Sequence, residues 1–535
     1  MVRWRSSAPV VPVAVAAAAS LWWPEHSDQA VFDVGARGLV SGLVYDRDLW
    51  DLKQPGIYWF HALGEWLLPG GLGARLLEAL LAVAGGWLVL RITAGRGLHP
   101  AVRAAAPSLV LLPYLLAAYS DGVGQIESLL VVLQLAVVAG TWPVGDASVP
   151  EGGATRLRGS LAWGGAGVCV GAVALLKTLY LPIPLLLVVG AVVASRRTGV
   201  PGTAGRVAAG TVGAALTVGV ALVHLALHGA LRTALVTTFV LPLQVVGGAD
   251  LHPSFALWPF VRGALAAASL TGPLALLALV TLPRRPAAAW QDLTLAATAV
   301  VAALLGTVQL WTPYRLLMIA APLGLLAVSG ADVVVRRLSR WATPGRHAPA
   351  ARGTRRLALG RTGAAVAAGV LLLPALYGPA DLLLSGAAPV GLDLASRVAR
   401  APGAAQPGGP AAVAALVRRE VAPGTPAVVL GDQRVLELLG SRPGTEVFGV
   451  SLWLMPDDVL VELARELDRS RPAWLYVEAG EQDRISRRGS PGARALADVL
   501  AGRYRRQVGT DTGAWFRAVT PGPALPQPGG VRLDT

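Results

Sequence analysis

The chain has 535 residues, of which 54% are apolar and only 15% are charged, and its mean hydropathy is +0.56. A soluble domain carries about 25% charged residues and a disordered chain has few apolar ones, so both classes are excluded. The formal net charge of +14 is common among nucleic-acid-binding proteins. Here the basic residues lie between apolar runs of membrane length, which indicates membrane topology and no nucleic-acid partner.

Eleven apolar segments are candidates for helices across a hydrocarbon core about 30 Å thick, which takes roughly 20 residues of helix. They lie at residues 8–23, 74–92, 101–118, 127–141, 160–176, 180–195, 207–228, 258–282, 291–310, 314–332 and 362–384. The first follows two arginines, as a signal peptide does, but the Trp22-Trp23 pair at its far end favours a retained helix with an interfacial anchor. The sequence predicts a polytopic α-helical membrane protein with about 11 transmembrane helices.

The placement of basic residues indicates the orientation. With the N-terminus in the cytoplasm, 20 arginines fall on the inner side and 8 basic residues on the outer side, as the positive-inside rule requires. Of the 46 basic residues 44 are arginine, a composition typical of GC-rich bacterial genomes. We therefore expect a multi-pass protein of a bacterial cytoplasmic membrane, with the loops 24–73 and 229–257 and everything after about residue 385 on the outer side.

The first outer loop contains an apolar and aromatic stretch at residues 57–68. We interpret it as a helix lying along the outer interface. A twelfth span is the alternative, but it would reverse the later topology and spoil the arginine count. A second helix is expected from Ser27 or Asp28 to about Gly42, because the start of this segment has the pattern of a helix cap.

The composition changes after the membrane domain, which we place at residues 1–384. A Pro/Gly/Ala linker at 385–411 precedes an extracytoplasmic α/β domain at 412–520, and the tail 521–535 is expected to be disordered. Strands are expected at 427–431, 446–450, 473–478 and 515–519, and helices near 411–420, 432–440, 456–468 and 492–502. This alternation favours a mostly parallel sheet. Gly431-Asp432-Gln433 opens a helix but lacks the glycine pattern of a nucleotide site.

Asp28 follows the Trp22-Trp23 pair by five residues, so it is expected near the outer membrane face. A carboxylate there can act as general base toward a hydroxyl, or it can simply cap the helix. Both lysines of the chain, Lys53 and Lys177, are expected at this surface, with Arg262 and Arg315. Such cations can stabilise a leaving phosphate, or they can extend to lipid head groups.

Further polar and aromatic residues are candidates with structural alternatives. Glu78 lies inside the second span, where ionisable groups are functional candidates, and it can instead pair with Arg75. His252 and Tyr314 can contact substrate, and His224 and His228 have a helical spacing that suits a metal but lack an evident third ligand. The aromatic residues of the first loop either stack on sugar or prenyl groups or form an interfacial belt; they are Trp50, Tyr58, Trp59 and Trp66.

The first loop resembles that of the GT-C glycosyltransferase superfamily, and in pattern it is most similar to the protein O-mannosyltransferase and lipid A aminoarabinose transferase group. The family pattern is roughly D-E-x-x-Y, a helix, G-x-x-Y and then K-P-P-x-x-Y. The matching positions here are Asp28-Gln29, Phe32, Ala36, Gly42, Tyr45, Asp48 and the run from Asp51 to Tyr58; Gly73 to Leu77 and Leu176-Lys177 also fit. The resemblance covers the membrane part to about residue 384 and, more loosely, the outer domain.

This resemblance implies an inverting transfer of a sugar from a polyprenyl phosphate to a hydroxyl acceptor on the outer side of the membrane. Asp28 then inherits the role of general base, and Lys53 lies beside the lipid phosphate. The family places a second acidic residue at the entry of the fourth span. Glu127 fits this position by its distance to the apolar run and is the second catalytic candidate, with Asp121 as the competitor. Gln29 replaces a family glutamate. The acidic residue often found before the family lysine is one position further back here, at Asp51.

Several matters stay open in the sequence. The resemblance leaves no certain cofactor; Asp28 and Glu127 together could hold a divalent cation, and Asp51, Tyr58 and Asp121 are further possible substrate contacts. The sugar (arabinofuranose, mannose or another hexose) and the acceptor (a glycan, lipid or protein, as in cell-wall biogenesis) are not specified. The alternatives are a polyprenyl-lipid transporter or flippase, and a non-catalytic scaffold whose outer domain binds glycan. Membrane lipids are partners in each case.

Overall fold

The computed structural model describes residues 7–22, 27–121, 124–142, 153–241, 271–282, 286–307, 313–342, 414–415, 417–418, 421, 425–441, 443–449, 455–510 and 513–520. The predicted eleventh span, the linker at 385–411 and the tail at 521–535 lie outside these residues, as does most of the predicted span at 258–282. The fold below is that of the described residues.

Helices follow the predicted apolar runs closely. They are α1 Val11–Ala19, α2 Ser27–Val40, α3 Pro55–Leu67, α4 Leu72–Ala94, α5 Pro100–Asp121, α6 Ile126–Thr141, α7 Gly153–Lys177, α8 Pro182–Arg197, α9 Thr203–Leu227, α10 Leu231–Leu235, α11 Gly272–Val280, α12 Pro286–Thr307 and α13 Ala320–Ala342. Within the described ranges, five helices are long and apolar enough to cross a membrane. They correspond to α4, α7, α9, α12 and α13. Rows of exposed apolar side chains on α9, such as Val220 and Leu227, suit contact with lipid.

Helix α3 is the predicted interfacial helix. It has 13 residues, fewer than a membrane span needs, and it packs against α2 and α4. Pro55 opens it, at a position where the missing N–H has no helical partner. Ile57 and Tyr58 are buried against the neighbouring helices, whereas Trp66 is 69% exposed. This two-sided burial is what a helix lying along the membrane surface requires.

The C-terminal part forms a small α/β domain. Its elements are β1 Ala427–Leu430, α14 Arg434–Leu438, α15 Asp457–Ser470, β2 Trp474–Glu478, α16 Ala479–Arg488, α17 Pro491–Arg503, β3 Tyr504–Thr510 and β4 Gly513–Ala518. The strand order is β1-β2-β4-β3. The prediction of a mostly parallel sheet is wrong, because only β1 and β2 pair in parallel. The polar strand β3 forms a hairpin with β4, and β4 then pairs antiparallel with β2.

The strand predicted at 446–450 is also wrong, and the reason is informative. Its backbone pairs with the first loop instead of the sheet, through a bridge between Val447 and Trp50. The Trp50 N–H donates to the Glu446 carbonyl at 2.7 Å, and the Phe448 N–H donates to the Trp50 carbonyl at 3.1 Å. The C-terminal domain therefore lies against the first loop, on the same side of the helices.

One apolar core joins the loop to the domain. Tyr45 stacks on Tyr58 at 4.3 Å, and Phe448 of the domain meets the Tyr58 ring edge-on at 5.8 Å. Gly35 of α2 allows this approach, because a Cβ there would lie 2.6 Å from the Tyr58 ring and 2.8 Å from Phe448. A second apolar core lies among the apolar helices α1, α4, α5, α6 and α13.

Candidate active site

The first loop brings Asp28, Asp51 and Lys53 together. Asp28 lies in the first turn of α2, where a negative charge is favourable. This position is compatible with both interpretations of Asp28, as a residue that stabilises the helix start and as a catalytic base. The Lys53 Nζ lies 3.3 Å from Asp28 Oδ1 and 3.9 Å from Asp51 Oδ2. The two members of the Asp28–Lys53 pair keep 26% and 29% of their side chains exposed, so solvent and ligands reach this pair.

Asp51 is a buried anchor of the loop. Burial raises the pKa of Asp51, against the opposing effects of the Lys53 ammonium and of hydrogen bonds from Tyr58 and the Leu52 N–H. The Tyr58 hydroxyl donates to Asp51 Oδ2, and the Tyr45 hydroxyl donates to the Lys53 carbonyl at 2.9 Å. Asp51 and Tyr58 thus hold in place the segment that carries Lys53. An acidic residue two positions before the lysine can therefore stabilise this loop.

A second cluster forms where α6 begins and α7 ends. Glu127 Oε1 accepts hydrogen bonds from Lys177 Nζ at 3.0 Å and from the Tyr180 hydroxyl at 2.8 Å. Lys177 also lies over the Tyr180 ring, 4.6 Å from its centroid. Arg315 is buried and interacts electrostatically with both Glu127 and Lys177. Glu127 therefore contacts a candidate cation. The side chain of Asp121, the other acidic residue considered at this helix entry, lies outside the described residues.

The two clusters adjoin each other. Gln54, next to Lys53, accepts a hydrogen bond from the Thr178 N–H at 2.9 Å, and Lys53 and Lys177 interact electrostatically. Gly56 permits the contact, because a Cβ there would lie 2.6 Å from the Leu175 carbonyl oxygen. Three of the four predicted phosphate-binding cations, Lys53, Lys177 and Arg315, thus face one region. The fourth, Arg262, lies outside the described residues, with His252 and the side chain of Tyr314.

A buried polar network connects the helices that carry the two clusters. Arg75 donates to Gln29 Oε1 at 2.7 Å, and Glu78 accepts the Gly124 N–H at 2.7 Å. Glu78 also interacts with Arg75 and with Ser128, the neighbour of Glu127. Gly124 has a φ of +72° and lies so close to Gln29 that a Cβ would overlap the amide. The Arg75–Glu78 pair therefore connects the start of α2 with the start of α6.

Other candidates have structural roles. Trp50 is buried and its indole N–H donates to the Thr237 hydroxyl at 2.8 Å, so it is not a stacking surface for sugar. His224 and His228 lie against each other, with ring centroids 4.4 Å apart, and His224 meets Trp59 edge-on. Within the described residues, no group of three or more His, Cys, Asp or Glu side chains is arranged to hold a metal ion. Asp28 and Glu127 each contact a lysine, which compensates their charge locally.

A cavity of about 300 Å³ opens beside Asp28, between the first loop and the C-terminal domain. Its walls are Asp28, Val31, Asp51, Leu52, Lys53, Gly431, Asp432, Gln433, Arg434, Gly449, Met455, Glu478 and Glu481. Sequence reasoning did not identify these residues of the domain as part of the site. The sequence did offer one signal: Asp432 follows strand β1, and Glu478 ends strand β2. That these strand ends lie near Asp28, however, depends on contacts between distant parts of the chain.

Comparison with known proteins places this geometry in a known fold. No family model matches the chain, and no curated protein does. The chain is similar to the crystal structure of ArnT from Cupriavidus metallidurans bound to undecaprenyl phosphate, with a TM-score of 0.58 and 16% identity over 96% of this chain and 98% of that chain. ArnT in the apo state gives a TM-score of 0.54 and 16% identity over 95% and 97%.

A further solved structure is the archaeal oligosaccharyltransferase AglB from Archaeoglobus fulgidus, in complex with an inhibitory peptide and a dolichol-phosphate. It has a TM-score of 0.48 and 11% identity over 97% of this chain and 75% of that chain. The chain therefore shares the fold of ArnT along almost its whole length.

Proposed function

We propose that this protein is an integral membrane glycosyltransferase that moves a sugar from a polyprenyl phosphate to a hydroxyl acceptor, with inversion at the anomeric carbon. The observation that carries the proposal is the position of Asp28: a partly exposed carboxylate, 3.3 Å from a lysine, on the wall of a cavity next to a group of cations. A base beside a phosphate-binding group is the arrangement that transfer from a sugar phosphate needs.

Asp28 acts as general base in the proposed reaction. It takes the proton of the acceptor hydroxyl while that oxygen attacks the anomeric carbon from the face opposite the phosphate. The bond between the anomeric carbon and the phosphate oxygen breaks, and the products are the new glycoside and the polyprenyl phosphate. A single displacement of this kind inverts the anomeric configuration.

The cations stabilise the leaving group. As the bond breaks, negative charge grows on the phosphate, and preorganised cations lower the barrier most at that point. Lys53 and Lys177 supply point charges, and Arg315 supplies a planar fork that matches phosphate oxygens. Glu127 holds Lys177 in place through its 3.0 Å contact. Asp51 and Tyr58 hold the segment of Lys53, so we assign them positioning roles.

The similarity to ArnT supports the donor class. That structure is described as bound to undecaprenyl phosphate, a polyprenyl phosphate, and the fold is shared along almost the whole chain. We propose the same class of carrier here, with its prenyl tail among the apolar helices. We propose that the first loop, and with it the adjoining C-terminal domain, lies on the outer face of a bacterial cytoplasmic membrane, which the arginine distribution supports. The proposed role is in building the cell envelope, with mannose and arabinofuranose as the first sugars to test.

The test is donor consumption by the purified full-length protein. A panel of polyprenyl-phosphate sugars is offered with bacterial membrane extract as acceptor, and products are identified by mass spectrometry. Wild type is compared with Asp28→Asn and with Asp498→Asn, a matched change at an exposed aspartate of α17. We expect consumption of one donor, its loss in Asp28→Asn with lipid binding retained, and no effect of Asp498→Asn.

Other outcomes would contradict the proposal. Binding of polyprenyl phosphate without any transfer, combined with movement of the lipid across vesicles, would establish a transporter instead. Failure to bind or consume any donor would leave a scaffold whose outer domain binds glycan. Equal turnover in wild type and Asp28→Asn would retain the transferase but reject Asp28 as its base.

A further inference from the structure

The cavity beside Asp28 lies at a characteristic edge of the C-terminal sheet. Strands β1 and β2 run parallel, from Ala427 paired with Trp474 to Leu430 paired with Val477. Residues 431–434 follow β1, and residues 478–481 end β2 and begin α16; both segments line the cavity. In α/β sheets, ligands bind in the crevice outside the carboxyl ends of parallel strands. The domain therefore presents its expected ligand-binding edge to the candidate base.

The backbone that follows β1 lies close against Glu478 at this edge. Gly431 has a φ of +130°, and a Cβ there would lie 2.3 Å from Glu478 Oε2. Glu478 in turn accepts the Asp432 N–H at 3.1 Å. The cavity volume of about 300 Å³ is at the lower end of the range of small-molecule sites, about 300–1,000 Å³, so it suits one end of a larger acceptor.

The cavity walls are rich in carboxylates. Five acidic side chains line the cavity against two cations, Lys53 and Arg434. Burial raises the pKa of Glu478, and the neighbouring charges of Asp432 and Glu481 raise it further, against the effect of Arg484. An anionic ligand such as a phosphorylated acceptor would meet this negative potential. The proposed phosphate-binding cations Lys177 and Arg315 belong to the adjoining cluster and do not line this cavity.

Most of the acidic groups nevertheless have a cation beside them. Asp28 contacts Lys53, Asp432 contacts the Arg434 Nε at 2.9 Å, and Glu481 pairs with Arg484 at the start of α16. A ligand in the cavity therefore meets hydrogen-bond acceptors, the carboxylates, and also donors, the Lys53 ammonium and the Arg434 guanidinium. Carboxylates accept only, and guanidinium and ammonium groups donate only. Hydroxyl groups both donate and accept, so a polyhydroxylated ligand matches both kinds of group, whereas a charged ligand matches one kind and is repelled by the other.

We propose that the edge of the C-terminal domain formed by Asp432, Arg434, Glu478 and Glu481 is the acceptor subsite, and that it selects a neutral, polyhydroxylated glycan end. One hydroxyl of this glycan lies at Asp28, and Glu478 and Glu481 accept hydrogen bonds from others. The inference rests on the proposed function for the role of Asp28. The binding of the glycan by the domain edge is separate from that role and is tested separately.

The experiment measures binding and turnover on the full-length protein in nanodiscs. The probes are a neutral octyl dimannoside, a neutral octyl di-arabinofuranoside, the 6-phosphate of the dimannoside, and an analogue with an ammonium in place of one hydroxyl. We expect at least one neutral probe to bind about tenfold or more tightly than both charged probes. Glu481→Gln and the double variant Glu478→Gln/Glu481→Gln are expected to weaken neutral binding about tenfold, the scale of a lost hydrogen bond to a charged group. Binding of polyprenyl phosphate stays unchanged.

Controls separate the domain edge from a general loss of structure. Asp498→Asn is expected to leave the binding of every probe unchanged. Glu481→Gln retains the hydrogen bond from the Asp432 N–H to Glu478, so it tests the subsite if the double variant fails to fold. Tighter binding of a charged probe, or unchanged neutral binding in both glutamine variants, would overturn the inference. If the neutral probe binds through these residues but no donor is consumed, the proposed transferase fails and the glycan subsite stands. If transfer proceeds and the KM for the acceptor is unchanged in the glutamine variants, the transferase stands and the glycan subsite fails.

Discussion

The two carboxylate–lysine pairs of the site differ in their surroundings. In the first-loop pair, Asp28 and Lys53 are both partly exposed, at 26% and 29%, and lie 3.3 Å apart on a cavity wall. In the pair between α6 and α7, Glu127 is 2% exposed, Lys177 is 19% exposed, and the distance is 3.0 Å. The same chemical pairing therefore occurs in two environments: the accessible carboxylate suits the proposed exchange of a proton with an acceptor, whereas the enclosed one suits the proposed positioning of a cation.

The strongest test of this difference between the two pairs is to neutralise each carboxylate in turn, beginning with Asp28. Asp28→Asn removes the proposed base while keeping the shape of the side chain. We expect kcat to fall about 10²–10⁴-fold, the usual contribution of general base catalysis, with little change in thermal stability because the pair is solvated. Steady-state kinetics and a thermal melt of the same preparation measure both quantities. A large loss of stability with modest loss of kcat would reverse the assignments of the two pairs.

Neutralising Glu127 should have the opposite profile. Glu127→Gln leaves Lys177 enclosed without its counter-charge, and breaking a buried pair costs about 3–5 kcal/mol of unfolding free energy. We expect the stability loss to shrink in the double variant Glu127→Gln/Lys177→Met, while activity stays low because the phosphate loses a cation. Thermal or denaturant unfolding of the single and double variants gives the coupling. Additive stability losses would show that the two side chains act independently.

The network behind the two pairs offers a smaller perturbation. Glu78→Gln keeps an acceptor for the Gly124 N–H but removes the charge that faces the buried Arg75. Because this network joins the starts of α2 and α6, we expect a several-fold fall in kcat with an unchanged KM for donor, and a loss of about 1–3 kcal/mol in stability. Loss of donor binding with normal kcat would instead place Glu78 on the substrate path.

The smallest expected effect concerns pH at the contact between domain and loop. Burial raises the pKa of Glu446 to about 7 and that of Glu466 to about 8. The folded state thus binds more protons than the unfolded state between about pH 4.5 and 8, so the stability of this contact falls as pH rises through that window and levels off above it. Hydrogen exchange of the Trp50 and Phe448 amides, corrected for intrinsic rates, is expected to be slower at pH 5.5 than at pH 8.5. The double variant Glu446→Gln/Glu466→Gln should flatten the difference, and a persistent pH dependence there would place its origin elsewhere.

Local patterns predicted much of this fold. The apolar runs located α3, α4, α5, α6, α8 and α9 to within a few residues, because helix length and apolarity are properties of contiguous sequence. Helix α7 begins seven residues earlier than its predicted span, and α13 ends ten residues later than its own. The first-loop residues Asp28, Asp51 and Lys53 lie within 26 positions of one another, and their grouping followed from a compact motif. Strand β3 was missed since its sequence, Tyr504–Thr510, is polar at most positions and is held by its hairpin partner.

The remaining part of the site depends on contacts between distant segments. The segment around Val447 looks like a strand of the domain sheet, yet its backbone pairs with Trp50 of the first loop. Glu478 and Asp432 are ordinary strand-end residues until the domain is placed against Asp28. Such tertiary contacts override local propensity, and a single sequence carries no periodic signal for them.

The pairing of Trp50 with Val447 has a consequence for the order of events during synthesis. These residues are 397 positions apart in the sequence, so Asp28 acquires the second wall of its cavity only after the C-terminal domain has been made and packs against the first loop. A half-made chain already carries Asp28 and Lys53 but has no enclosed cavity around them. On the proposed function, an acceptor can therefore be enclosed beside Asp28 only once both segments are in place.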